Sequence, residues 1–268
     1  MRVSEEVEME DVGRSLPSLD LVEEFSCRVI SRYQKKMALY LLEIAGMDGL
    51  SRFRTERSLP FGVIKHFRRV MDLFDESTQY LLGQLRHRGI IVQCKPDCSY
   101  CCFNMPYGLS TLELIWVYHG SCLTGKSSRL FRRLLEVEEL WEELRRRRSG
   151  HEDHDTSHPS ACEREELLKS YQKLCQPCPF LQESSCLVYR YRPIACRMHF
   201  SLSPSYWCNP RHFQHDHAVR FNLEPGDCVQ DAFEQIDERF GLNISHTMIC
   251  GLLELTVNIM QFEPIRWT

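Results

Sequence analysis

Apolar residues recur along most of this chain at the three- and four-residue intervals of a helix face, and one long stretch breaks the pattern. After a short acidic tail, Ser18 to Ala45 carries such a stripe, including Leu21, Phe25, Val29, Tyr33, Met37 and Leu41, and Gly46 supplies a stop. A second stripe starts near Pro60, runs through Val63, Phe67, Val70, Phe74 and Leu81, and stops at Gly89. The β-branched run Ile90 to Val92 reads as a small strand or an extended entry into a cysteine-bearing loop. Ser110 and Glu113 form an S-x-x-E capping box, which predicts a helix from there to Gly120. Leu130, Leu134, Val137, Trp141 and Leu144 predict a third long helix with a single apolar stripe. The polar stretch Ser149 to Ser160 reads as a loop, and a second capping box at Ser160 and Glu163 opens a helix toward Leu174.

From Cys175 to about Pro225 the helical period disappears. Pro177, Pro179, Pro193, Pro204 and Pro210 interrupt this segment, so irregular structure is expected there. Two helices close the chain, one over Cys228 to Phe240 and one over Ser245 to Met260, the latter apolar on most sides and therefore buried. No internal repeat is present. The expected fold is mainly α, with helices enclosing an irregular cysteine-rich metal-binding module and little β. It divides into an N-terminal helical segment (1–89), a cysteine-cluster region (90–210) and a C-terminal helical segment (211–268) packed on it as one globular unit.

Composition narrows the function classes. The chain has 268 residues, 43% apolar and 26% charged, enough for a real core and too apolar for a disordered protein. A net charge of −4 gives no global basic field, so neither nucleic acid nor an anionic membrane is an expected partner. Residues 129 to 148 hold seven Arg and five Glu, and Glu142 and Glu143 precede Arg146 and Arg147 by one helical turn, so intrahelical pairs account for most of that charge. The longest C-terminal run free of charged residues, Phe240 to Leu253, is 14 residues, shorter than a spanning helix of about 20. With no secretory leader visible, the expectation is a soluble protein of a reducing compartment, the cytoplasm.

That expectation decides how 14 cysteines are read. Residues 94 to 208 hold 11 of them, and only Cys27, Cys228 and Cys250 lie outside. In a reducing compartment such a cluster points to thiolate ligands. One group is Cys94, Cys98, Cys101 and Cys102; the other is Cys175, Cys178, Cys186 and Cys196, with Cys208 as a further candidate. Short spacings wrap the backbone around one centre, and a zinc ion or a [4Fe-4S] cluster each takes four thiolates. Eight cysteines therefore serve two centres or leave spares. On an extended backbone, adjacent Cys101 and Cys102 would point to opposite sides, which would assign one of them to a second centre. Cys27, Cys122, Cys162, Cys228 and Cys250 read as ordinary buried or scattered thiols.

Several ordered motifs resemble the YkgJ-type cysteine-cluster family, described as a zinc- or iron-chelating domain. They are Cys94-x3-Cys98-x2-Cys101-Cys102, Ser110-Thr111-Leu112-Glu113, Cys178-Pro179-Phe180-Leu181, Cys186-Leu187-Val188-Tyr189 and Arg192-Pro193-Ile194-Ala195-Cys196-Arg197. The resemblance covers about residues 90 to 210 and implies metal or iron–sulfur binding by Cys98, Cys101, Cys102, Cys178, Cys186 and Cys196. The family's first spacing is more often C-x2-C-x2-C-C, so the extra residue sets Cys94 apart, and Cys175 is an addition to the pattern. A flagellin lysine N-methylase carries a related cluster, which by analogy points to methyl transfer on a protein substrate with S-adenosylmethionine as a candidate cofactor. Cys94-x3-Cys98-x2-Cys101 also resembles the radical S-adenosylmethionine signature, a rival that implies a partial βα barrel.

The remaining candidates are weaker. No G-x-G occurs among the 13 glycines, so no Rossmann or P-loop signal is present. His151, His154 and His158 fall in the polar loop; His199, His212, His215 and His217 lie near the later cysteines, where imidazole is a candidate accessory ligand or proton carrier. Arg192 and Arg197 flank Cys196 and are read either as donors to cluster sulfurs or as structural ion-pair partners. Glu113 is read as a helix cap, with a catalytic base as the alternative. The sequence reading is an iron–sulfur protein with an uncharacterised redox or methylation role; the alternative is a structural zinc-binding module, in which metal replaces a missing core.

Overall fold

The structure, a computed structural model, describes residues 24–95, 97–149 and 161–268. The predicted loop residues His151, His154 and His158, the start of the first helix at Ser18 and the Ser160 cap lie outside the described residues. Eight α-helices are present among the described residues: α1 (Glu24–Ala45), the one-turn α2 (Phe53–Glu56), α3 (Phe61–His87), α4 (Thr111–Leu123), α5 (Ser127–Ser149), α6 (Ala161–Lys173), α7 (Asp227–Phe240) and α8 (Met248–Glu254). Six strands of two or three residues make three separate pairs. β1 (Ser58–Leu59) runs parallel to β6 (Arg266–Trp267), while β2 (Leu181–Gln182) with β3 (Ser185–Cys186) and β4 (His199–Ser201) with β5 (Arg220–Asn222) are antiparallel. The fold is mainly helical, as the periodicity predicts. No helix among the described residues is long and apolar enough to cross a membrane.

The apolar stripes account for the packing. Met37, Leu41 and Ile44 of α1 are buried against α3 and α7, which contribute Phe67, Phe74, Phe233 and Ile236. The Phe67 ring meets Trp116 edge-on at 5.5 Å and Phe233 at 6.1 Å, which locks α3, α4 and α7 together. Helix α4 is buried on nearly every side, every residue from Thr111 to Tyr118 being inaccessible, as expected of a helix without a polar face. Helix α5 buries Leu130, Leu134, Val137 and Trp141 and turns its charges outward. Its ion pairs form as predicted in kind but differ in partner: Glu142 binds Arg145 at 2.8 Å rather than Arg146, and Glu143 binds Arg147 at 2.5 Å.

Several boundaries differ from expectation. Of the two readings of Ile90 to Val92 the strand is not formed and the segment is an entry into the cysteine loop, while the β1–β6 pair has no periodic signal because each partner is two residues long. Helix α8 starts at Met248, not Ser245, because Ser245 and Thr247 join their hydroxyls at 2.8 Å and the Ser245 amide donates to Glu254 at 2.7 Å, forming a lead-in to the helix. The predicted segments 1–89, 90–210 and 211–268 share one core running from Met37 to Ile265, and the β4–β5 pair crosses residue 210.

Gly120 is the clearest departure, because it lies inside α4 where a stop was predicted. A Cβ at this position would overlap the side chain of Tyr191, which packs onto the helix there. The glycine is thus a landing site for the loop bearing Tyr191, not a terminator. Gly120→Ala is expected to destabilise the protein by about 1–3 kcal/mol through overpacking, outweighing the gain of up to ~1 kcal/mol in helix propensity. Urea denaturation of Gly120→Ala, alone and with Tyr191→Ala, checks this: the second change should remove most of the penalty of the first.

Candidate functional site

The cysteines sit on short irregular turns that backbone bonds hold together. After α3 the chain joins β4 through the Gln93 amide and the Ser201 carbonyl at 2.8 Å. A 3-10 turn, Tyr100–Phe103, then carries Cys101 and Cys102. The second cysteine segment docks on it directly, the Cys178 amide donating to the Cys102 carbonyl at 2.7 Å. Cys186 lies in β3, across a two-residue turn in which Glu183 and Ser184 both adopt positive φ, the geometry such a hairpin requires. Cys196 ends another 3-10 turn, Ile194–Cys196, closed by its own amide on the Pro193 carbonyl at 3.0 Å.

These turns converge on one place. Cys98, Cys101, Cys102, Cys178, Cys186 and Cys196 all line a cavity of about 700 Å³, whose other walls are largely apolar. A second chamber of about 710 Å³ is lined by Cys94 and Cys208 and shares Cys98, Cys101 and Cys196 with the first. Cys175 lines neither chamber. It adopts a left-handed φ of 52° just beyond α6, and its thiol donates to the Lys173 carbonyl at 3.7 Å. The grouping by sequence is therefore redrawn: Cys101 and Cys102 belong with Cys178, Cys186 and Cys196, while Cys94, Cys98 and Cys208 form an outer set around Cys101.

Cys101 and Cys102 also correct an expectation. On a 3-10 turn, adjacent side chains do not alternate as they do in a strand, and the Cys102 thiol donates a hydrogen bond to Cys101. That bond, with Arg192 nearby, holds the Cys101 thiol below its ordinary range, and it drives Cys102 upward. Burial, reinforced by neighbouring thiols, pushes Cys178 up to about 12 and raises Cys196 well above the usual thiol value. Cys94 stands at the exposed rim, yet its surroundings withdraw enough water to push it up to about 11. Every cysteine whose side chain is described is free of disulfides. Of the scattered thiols, Cys122 and Cys250 rest against the core, whereas Cys27 and Cys228 are exposed rather than buried.

The two arginines flanking Cys196 have different tasks. Arg197, its side chain 7% exposed, binds Asp75 at 2.5 Å and donates to the carbonyls of Arg192 and Arg190, each at 2.8 Å. It is a structural pin. Arg192 lies 3.7 Å above the Tyr189 ring, donates through Nε to the Tyr189 carbonyl at 3.2 Å, and faces both chambers, where its charge favours the thiolates of Cys101, Cys186 and Cys196. Arg133, unmarked by any motif, holds the turn after Cys178 through the carbonyls of Leu181 at 3.1 Å and Cys178 at 3.4 Å.

Of the candidate histidines among the described residues, only His199 lines the chambers, and its Nδ1 donates to Asn222 Oδ1 across the β4–β5 pair at 2.7 Å. His215 is buried against Arg220 at 3.2 Å, His212 stacks on Phe213, and neither these two nor His217 reaches either chamber. Sequence reasoning missed Asn222, which has no local signal, and gave Tyr189 no role although it lies within a quoted motif one turn before Arg192. Among the described residues, no three His, Cys, Asp or Glu side chains are gathered closely enough to hold a single metal ion. No βα barrel is present among them either, strands occurring only in pairs. No family model, curated protein or solved structure matches the chain.

Glu113 holds this assembly to the helices. Its Oε2 accepts from the Ser110 amide at 3.0 Å and hydroxyl at 3.1 Å, completing the capping box, while its Oε1 accepts from the Ile194 amide at 2.8 Å, two residues before Cys196. The carboxyl is committed to structure, as the capping reading expects. Glu113→Ala is expected to lose roughly 2–4 kcal/mol, the sum of a lost cap and an orphaned buried amide, with Glu113→Gln losing less. Chemical denaturation followed by circular dichroism checks the order.

Proposed function

We propose that the chain is a metal-binding protein of the YkgJ-like cysteine-cluster type, ligating an iron–sulfur cluster through thiols drawn from Cys98, Cys101, Cys102, Cys178, Cys186 and Cys196. The observation that carries this reading is the convergence of these six residues, from segments far apart in the sequence, on one cavity. They are also the six that the motif resemblance implies. Four thiolates satisfy a cluster, and six leave the fold a choice of ligands. A lone zinc ion bound at about 2.3 Å draws its sulfurs to within roughly 3.8 Å of one another, whereas a cluster spreads its thiolates around a larger body. Among the described residues no three donors are gathered closely enough for a single ion, so either occupant would have to draw its thiols together.

A cluster bound there supplies electron-transfer chemistry. The chain's own residues give it a desolvated wall, a guanidinium from Arg192 and a rigid frame from Arg197 and Glu113. A redox role or methylation of a protein, with S-adenosylmethionine as donor, are the activities in view; the apolar cavity wall beside the thiols supports binding of an organic partner molecule. A structural zinc module is the second reading, favoured by the short turns and two- or three-residue strands between Cys175 and Cys208.

Anaerobic purification with a visible spectrum and assays of iron, sulfide and zinc separates the two. Broad visible absorbance with iron and sulfide is expected, and a colourless product with stoichiometric zinc and no sulfide overturns the cluster. Serine at Cys101, Cys178 or Cys196 should lower metal content, while Cys175→Ser should leave it unchanged. Calorimetry with S-adenosylmethionine tests the methylation branch, which fails if no binding is seen.

A further inference from the structure

The second chamber differs in character from the first. Its thiol wall is shared in part, through Cys98, Cys101 and Cys196, but its remaining surface brings together Lys95, Arg192, Arg197 and Arg220 against two carboxylates, Asp75 and Asp97. Arg197 is engaged by Asp75, and Arg220 is shared with His215. Among the described residues Arg192 commits only Nε, to the Tyr189 carbonyl, and its stacking on that ring fixes the plane of the guanidinium with both Nη groups left over. Lys95 stands near Cys98 on the same wall. The other walls are aromatic: Tyr100, Tyr189 and the stacked pair Phe200 and Phe221, whose rings are 5.6 Å apart. At about 710 Å³ the chamber has the size of a small-molecule site.

We propose that this polar chamber binds a small organic anion, a carboxylate or phosphate ester, with its charged group held by the Nη groups of Arg192 beside Lys95 and its body against the aromatic wall. A planar fork pre-oriented by stacking suits a two-oxygen anion, and a guanidinium is more weakly hydrated than an ammonium, so it gives up water readily to such a partner. The excess of cations over carboxylates favours the same sign of ligand. Because the chamber shares Cys98, Cys101 and Cys196 with the thiol cavity, the anion lies alongside the metal centre. As the substrate site of that centre it rests on the iron–sulfur reading; as an anion site it does not.

Titration of the full-length protein with succinate and, separately, with inorganic phosphate, followed by calorimetry, tests this, with iron and sulfide measured on the same samples. Saturable binding of at least one probe is expected, weakened about tenfold or more in Arg192→Gln and several-fold in Lys95→Gln. Lys36→Gln, which removes the same charge from the exposed face of α1, should bind as the parent does. Binding of only one probe identifies the headgroup. No saturable binding of either probe, or equal affinity in the parent and Arg192→Gln, overturns the proposal. Should Arg192→Gln fail to fold, Lys95→Gln carries the comparison, its side chain being exposed. Binding by iron-free protein would uphold the chamber and count against the cluster, and iron-loaded protein that binds neither anion would do the reverse.

Discussion

Glu113, 5% exposed, divides two oxygens between the first turn of α4 and the amide of Ile194. A carboxylate in such surroundings is tolerated only if its lone pairs are met, and burial raises its pKa even with three donors present. Those donors come from two separate parts of the chain. The result is a single polar tie between the most buried helix and the loop that ends at Cys196. Tyr191 on Gly120 and Asp237 on the Thr111 amide, at 2.8 Å, brace the same helix from either side. What the loops lack in regular structure is supplied by this helix, which acts as their floor.

The thiol cavity shows the opposite arrangement. Burial disfavours charge on Cys178, Cys186 and Cys196, and each neighbouring sulfur adds to the penalty. Hydrogen bonds from the backbone at Phe180 and Val188 relieve it at Cys178 and Cys186, and nearby cations add to that. Arg133 acts on Cys178 and Arg192 on Cys186 and Cys196, while Arg197, whose hydrogen bonds go to Asp75 and two carbonyls, adds a smaller share at Cys186. Of two arginines five residues apart, one thus mainly supplies field and the other mainly fixes backbone.

Much of this was legible from residue types. The stripes of α1, α3, α5 and α7 announced themselves because each buries one face, and a 3.6-residue period records that directly. The six convergent cysteines were legible because thiols at short spacing in a chain without other redox features form an unusual pattern. Their grouping was not, since it depends on the Cys178–Cys102 backbone bond and on β4–β5, both of which join residues distant in sequence. Gly120 misled for a related reason, and the place of Cys175 was hidden in the same way. A glycine looks like a stop unless the incoming Tyr191 is known, and the left-handed turn after α6 leaves Cys175 off both chambers.

The β4–β5 pair has one more consequence. His199–Ser201 leads out of the Cys196 turn and is completed only by Arg220–Asn222, while the amide that opens α4 is held by Asp237, further along still. Small metal domains are often portable cassettes, folding wherever their ligand run is spliced. The cysteine region of this chain has no such independence: residues 90–210 cut from the chain would lose a strand, a helix clamp and the far wall of the polar chamber, leaving the thiols without the frame that gathers them.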